Sequence, residues 1–370
     1  MQFQVYTPFL TDIYSGKDRE IVTFPEEVSM PWIRKTRLGE HILGEVSYVE
    51  EIEIHPGNHD LAENIEKCFA LKTFEDRLAP GLSQKRFKQE VKANLEALKH
   101  DRIVRLLTAF SYRERFYLLL PFANEGSLEK LWTSYIPDGI VPESTDDIVP
   151  ESTDGIVPES TEARVADWYS DKWLLGECLG ITEALVATHG LINDSAEDQN
   201  GLLHADIKPE NILCFRESSL GTSSIALRLA DFGEAKRLEA DVALKSSNLA
   251  HIMTYRPPEH STDSRITLKY DIWSLGCLFL EFVTWAILGQ DGIESFRKTR
   301  EDEEKDPAVN ENHDQLIEDI FFKAVKQNSA PLLLKRLKLG RGKETKVKCW
   351  LWILKSVQGL EKYETSSKTC

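Results

Sequence analysis

Hydrophobic and polar positions divide this chain into two unlike halves. Val46 to Ile54 ("VSYVEEIEI") and Cys68 to Phe74 ("CFALKTF") are short and rich in β-branched and aromatic residues, which predicts strands. In Ser83 to Lys99, Phe87, Val91, Leu95 and Leu98 recur at helical spacing and predict an amphipathic helix. Phe116 to Leu120 ("FYLLL") predicts a further strand, stopped at Pro121. Beyond this point helices dominate. Ala166 to His189 is long and amphipathic, and Ile225 to Leu229 is a short strand. The apolar run from Trp273 to Gly289 is broken by Glu281 and falls short of the roughly 20 residues that span a bilayer, so Trp273 to Leu288 is read as a buried core helix. Asp291 to Asn312 is charged and predicts a loop.

A strand-rich half followed by a helix-rich half indicates an α+β fold of two lobes with a ligand-binding cleft between them. The division is a small lobe at 31–121 and a large lobe at 122–370, with 1–30 an N-terminal extension that matches no readable pattern. Inside the large lobe, Gly139 to Glu162 ("GIVPESTDDIVPESTDGIVPESTE") repeats one short unit in tandem. Its Pro, Ser, Thr and acidic groups cannot bury enough apolar surface to offset ordering entropy, so 139–162 is expected to be a disordered insertion.

Composition narrows the classes. A hydrophobic fraction of 41% is ample for a packed core. A net charge of −16 argues against nucleic-acid or membrane-surface partners. The six cysteines include no CxxC pair, which speaks against a zinc site or disulfide framework and for a reducing compartment, the cytoplasm or nucleus. His55 and His59, in "HPGNHD", have no metal-ligating partners in view. The basic run Lys335 to Lys348 reads as a solvated helix end and loop.

The chemistry is concentrated in "HADIKPEN", His204 to Asn211, and "ADFGEA" after the Ile225 strand. Phosphoryl transfer from a nucleoside triphosphate needs held phosphates, coordinated magnesium, an oriented hydroxyl and neutralised charge. Asn211 and Asp231 offer the hard oxygen ligands that magnesium prefers. Asp206 can accept a hydroxyl proton, and Lys208 can neutralise the transferring group.

These motifs resemble the eukaryotic protein kinase family of the Ser/Thr-directed type, in order from about Leu38 to Glu281. "HADIKPEN" is similar to its catalytic loop, Asp231-Phe232-Gly233 to its metal-binding turn, and "YRPPE" (Tyr255 to Glu259) to the end of its activation segment. "DIWSLG" resembles the start of the central large-lobe helix, where Asp271 would hold the catalytic-loop backbone. The resemblance implies a bilobal fold that uses ATP and Mg2+ to phosphorylate Ser/Thr hydroxyls of protein substrates. It assigns Lys72 and Glu90 to a phosphate clamp, Asp206 and Lys208 to catalysis, and Asn211 and Asp231 to the metal. It places the nucleotide against Leu38, Gly39, Gly44, Val46, Ala70, Lys72, Leu120, Phe122, Ala123 and Leu213.

The chain departs from the family pattern in several places. His41 stands where a Gly-rich loop has its middle glycine. Ala205 replaces the arginine that in many relatives pairs with a phosphorylated activation segment, which implies activity independent of that phosphate. Asn94 replaces an apolar residue expected to stack with Leu106, Phe232 and His204. The final helix of the family is expected to be missing. The alternative these departures support is an inactive pseudokinase that binds nucleotide as a scaffold. A related small-molecule phosphotransferase is opposed by Lys208, "YRPPE" and "DIWSLG".

Overall fold

The computed structural model describes residues 7–14, 21–39, 46–61, 68–76, 80–97, 100–137, 164–190, 201–219, 222–238, 244, 254–257, 260, 265–304, 321–323 and 333–334. The repeat at 139–162, His41, Gly44, the basic run at 335–348 and the expected missing final helix lie outside the described residues.

The small lobe is built from β1 (Val22–Phe24), β2 (Trp32–Arg37), β3 (Ser47–Ile54), β4 (Cys68–Phe74), helix α1 (Leu82–Glu96), β5 (Thr108–Tyr112) and β6 (Arg115–Pro121). The strands form one sheet in the order β1-β5-β6-β4-β3-β2. Neighbours are antiparallel, except that β1 runs parallel to β5. The β5–β6 hairpin turns on Arg113 and Glu114, both at positive φ, the geometry that matches the twist of the flanking strands.

Period-two alternation gives the sheet two working faces. Phe69, Leu71, Tyr117 and Leu119 join Ile52 and Ile54 in one apolar cluster. Phe74 and Leu118 join Phe87 and Val91 of α1 in another. Ala70 and Lys72 alternate with Phe69 and Leu71 and so share the α1 face with Phe74. The lysine is therefore delivered to the helix side by strand geometry alone.

The segment 1–30, read as an N-terminal extension, packs on this lobe where it is described. β1 extends the sheet, and Leu10, Ile13 and Val28 are buried. A three-residue strand and isolated apolar residues leave no periodic signature, which is why the pattern did not reveal them.

The large lobe continues with α2 (Leu128–Ser134), β7 (Tyr135–Pro137), β8 (Arg164–Ala166), α3 (Asp171–His189), β9 (Gly201–Leu203), β10 (Ile212–Ser219), β11 (Thr222–Leu229), β12 (Lys236–Leu238) and α4 (Lys269–Glu304). Ser127 and Ser170 cap α2 and α3 by accepting from Lys130 and Trp173 backbone N–H groups. Gly190, at φ 73, ends α3 in the left-handed conformation a glycine adopts without strain. Leu131 and Trp132 of α2, Leu174, Cys178 and Leu185 of α3, and Phe279, Phe282 and Trp285 of α4 share one core with Leu227 and Leu229 of β11. α4 is long and apolar enough to cross a membrane by those two measures, yet Phe279, Phe282, Val283 and Trp285 are buried in this core.

One sequence expectation is corrected here. The charged stretch from Asp291, predicted as a loop through Asn312, is helical as far as Glu304. α4 kinks at Gly289 (φ 71) and resumes, and Ile293, Phe296 and Arg300 turn one buried face inward. Arg300 is completely buried, sandwiched by the rings of Phe296 and Phe321 and paired with Glu281 at 2.9 Å.

Candidate active site

The loop between β9 and β10 carries His204 to Asn211, and the turn after β11 carries Asp231 to Gly233. β10 and β11 are one antiparallel hairpin with Ile212 opposite Leu229, so Asn211 and Asp231 sit at its two feet. The Ala230 N–H donates to the Asn211 carbonyl at 2.9 Å and ties the feet together.

Asp271, in the first turn of α4, holds the loop from beneath. Its carboxylate is fully buried and accepts the His204 N–H at 2.7 Å, the Ala205 N–H at 2.9 Å and a bond with His189 Nε2 at 2.9 Å. Ala205 is at φ 65, a conformation that costs a non-glycine residue roughly 1–2 kcal/mol. The Asp271 bond locks that backbone in place. The His204 ring is buried, meets the Ala230 carbonyl at 3.0 Å and packs on Phe232 at 4.9 Å between centroids. Its place is structural, as the residue alone suggested.

Asp206 is almost wholly buried. Its Oδ2 accepts from Asn211 Nδ2 at 2.8 Å and faces Lys208 Nζ at 3.2 Å. Its Oδ1 is buried without a hydrogen-bond partner. An unpaired buried carboxylate oxygen costs free energy unless something else comes to it, and a hydroxyl is the fitting donor. Burial raises the Asp206 pKa, against the opposing pull of Lys208 and His204, which makes it a stronger base than an exposed aspartate.

Lys72 Nζ is shared between Glu90 Oε1 at 2.8 Å and Asp231 Oδ1 at 2.9 Å. Burial works against the Lys72 charge, but the two carboxylates outweigh it and raise its pKa, so the ammonium is permanent. Burial likewise pushes Asp231 up, and Lys72 with the Gly233 N–H more than reverses this, holding it at about 2. Glu90, deeper and facing Asp231, is pushed by burial to about 7 despite Lys72. One ammonium cannot fully serve two carboxylates, so Glu90 is the member of the trio that takes a proton first.

The donor set suits a hard cation. Asn211 Nδ2 donates to both the Asp206 carbonyl and Oδ2 at 2.8 Å, which leaves its amide oxygen as the remaining polar atom. Asp231 is ionised, with its side chain 42% exposed. An amide oxygen and a carboxylate are magnesium-type ligands.

Leu120, Ala123 and Leu213 converge on the buried cluster of Val104, Phe215 and Ala230, and Ala70 lies opposite Leu120 in the β4–β6 register. These four are apolar neighbours across β4, β6, the segment after β6 and β10. Phe122 is half-buried beside them. Leu38 is exposed, Gly39 adopts φ 75, and Val46 is half-buried just before β3. Asn94, which stands where the family has an apolar stacking residue, turns its amide back onto the Glu90 carbonyl at 2.9 Å. Sequence reasoning missed His189 and also Gln89, whose amide donates to the Gly233 carbonyl at 3.0 Å and joins α1 to the turn after Asp231. A cavity of about 660 Å³ lies away from this chemistry, between Tyr14, the end of α1 and the β10–β11 hairpin.

Comparison with known proteins points the same way as the geometry. The model of the protein kinase domain matches residues 198–336, which contain the Asp206 loop, the Asp231 turn and all of α4. Over that region the chain is similar to the protein kinase domain. It is 27% identical over 218 residues to an Aurora kinase of Yarrowia lipolytica, covering 59% of this chain and 45% of that one. Aurora kinase B of Drosophila melanogaster is 30% identical over 210 residues, covering 57% and 49%. Glycogen synthase kinase 3 of Trypanosoma brucei brucei is 40% identical over 85 residues, covering 22% and 21%. The chain therefore spans about half the length of the Aurora relatives it matches. The matched region lies wholly in the large lobe, which begins after β6.

Proposed function

We propose that this kinase domain transfers the γ-phosphoryl group of ATP to Ser/Thr hydroxyls of protein substrates. One observation carries the reading: Asp206 keeps a buried Oδ1 with no partner, between Lys208 and a loop that Asp271 locks in place. A substrate hydroxyl donating to that oxygen would be oriented for attack, and Asp206 would receive its proton. Lys208 would stand beside the transferring group. Lys72, held by Glu90, would bind the α- and β-phosphates, and the apolar wall of Ala70, Leu120, Ala123 and Leu213 would take the base. Magnesium, when bound by Asn211 and Asp231, neutralises charge on the phosphates. An intracellular setting, cytoplasm or nucleus, belongs to the same proposal. The free thiols of Cys68, Cys178, Cys214 and Cys277 suit it.

The test is magnesium-dependent transfer of labelled phosphate from ATP to a generic Ser/Thr protein, with Asp206→Asn beside the wild type. The variant should lose about two to four decades in rate while still binding ATP. ATP binding by both proteins with transfer by neither would make the domain a nucleotide-binding scaffold and overturn the reading.

A further inference from the structure

α1 carries Glu90, yet it is thinly attached to its own sheet. Of its buried residues only Phe87 and Val91 belong to the apolar cluster under the sheet. Ser83, Glu90 and Asn94 are polar, and Ala93 packs into the large-lobe core. The cavity of about 660 Å³ flanks its C-terminal end at Asn94 and Ala97, so close packing is missing there as well.

The missing support comes from residues 8–14. Asn58 Nδ2 donates to the Pro8 carbonyl at 3.3 Å, and the Leu10 N–H donates to the Asn58 carbonyl at 2.8 Å. The Asp12 carboxylate pairs with Arg105. The Ile13 N–H donates to the Leu107 carbonyl at 2.7 Å, and the Ile13 side chain enters the cluster of Phe87, Val91 and Leu106. Tyr14 lies under the Arg105 guanidinium at 4.8 Å, and its hydroxyl donates to the Asn94 carbonyl at 3.4 Å. The segment thus starts on the loop after β3, crosses the stretch before β5 and ends on the last turn of α1.

We propose that residues 8–14 are a built-in positioning element for α1, with Ile13 and Tyr14 the positioning residues that keep Glu90 within reach of Lys72. The function rests on the kinase reading above; the mechanical part does not. The segment's two buried aliphatic side chains, Leu10 and Ile13, have different neighbours. Leu10 packs with Ile52, Phe69 and Leu71 on the far face of the sheet, whereas Ile13 packs with α1. Losing Leu10 weakens the lobe without releasing the helix. Losing Ile13 does both, and an α1 that swings outward takes Glu90 from Lys72.

The experiment compares Ile13→Ala, Ile13→Val, Tyr14→Phe and Leu10→Ala in the full chain. Three quantities are read: thermal midpoint, kcat/KM for ATP, and hydrogen exchange of the 82–96 amides. Ile13→Ala and Leu10→Ala should lower the midpoint alike. Ile13→Ala alone should speed exchange in α1 and cut kcat/KM by about tenfold or more as the paired population falls. Ile13→Val should restore most of both, and Tyr14→Phe should speed exchange mainly in the last turn. If Ile13→Ala and Leu10→Ala change exchange and rate in step, the segment is only structural and the proposal is overturned. Should the wild type transfer no phosphate, the exchange difference still decides the positioning role, and only the kinase reading falls.

Discussion

Replacing Asp271 is the sharpest probe of how this site is held. Its carboxylate has no solvent exposure and is the acceptor for the His204 and Ala205 N–H groups and a partner of His189. Asp271→Ala leaves two backbone donors buried without acceptors. At about 1–3 kcal/mol each, this sums to about 2–6 kcal/mol of lost stability. Asp271→Asn keeps one oxygen but turns an NH2 group toward the other donor, so it should cost about 1–3 kcal/mol. The catalytic effect should exceed the stability effect. Ala205 stands at φ 65 under this restraint and relaxes once it is gone. Asp206 is the next residue, and a shift of about 1 Å at a reacting group costs on the order of a hundredfold in rate. Urea unfolding gives the first quantity, and kcat under saturating ATP in the folded baseline gives the second. Variants within about 0.5 kcal/mol of the wild type, with kcat unchanged, would show that Asp271 merely starts α4.

Glu90 has a folded pKa near 7, above its unfolded value, so its contribution to stability is full below about pH 4.3 and is lost as pH rises through 7. Glu90→Gln should therefore match or exceed the wild-type thermal midpoint at pH 8, with the gap closing by pH 5, while its KM for ATP rises; a large loss of midpoint at pH 8 would contradict the assignment. Glu281 is fully buried and accepts from Tyr255 Oη at 2.5 Å and Arg300 Nη2 at 2.9 Å. Glu281→Leu should cost about 3–5 kcal/mol because it removes the buried carboxylate that pairs with Arg300, and adding Arg300→Leu should return part of it; strictly additive losses in urea melts would refute the coupling. Ala205 offers no guanidinium to a phosphate, so phosphatase treatment should leave the transfer rate unchanged. A severalfold drop would show that another cation reads the modification.

What could be read from the sequence was what chemistry or period constrains. "HADIKPEN" and "DFG" announce themselves because few residue types perform those roles at those spacings. Lys72 and Glu90 were placed on a strand and a helix by strand-like composition and helical recurrence, and the structure pairs them at 2.8 Å. The contributions of Leu10, Ile13 and β1 were illegible because isolated apolar residues become meaningful only when a distant sheet edge receives them. The second limb of α4 was hidden by charge. Ile293, Phe296 and Arg300 do recur at helical spacing, but an arginine is not counted as a core residue until its carboxylate is known. Asn94 was read through its apolar counterparts in relatives, whereas its amide finds the Glu90 carbonyl one turn back, a local bond that a comparison of side-chain types does not anticipate.

The hairpin of β10 and β11 acts as a caliper. Its eight paired positions run from Ile212 opposite Leu229 down to Ser219 opposite Thr222. The gap between Asn211 and Asp231 is therefore set by ladder spacing rather than by loop conformation. The jaws of such an instrument do not sense what is attached to its handle. A peptide or small domain inserted between Ser219 and Thr222 should leave the jaws in register, whereas deletion of one residue from either strand would reverse every side chain along it and misalign the jaws. The tip of this hairpin is thus a natural place for evolution or an engineer to add a reporter or docking module.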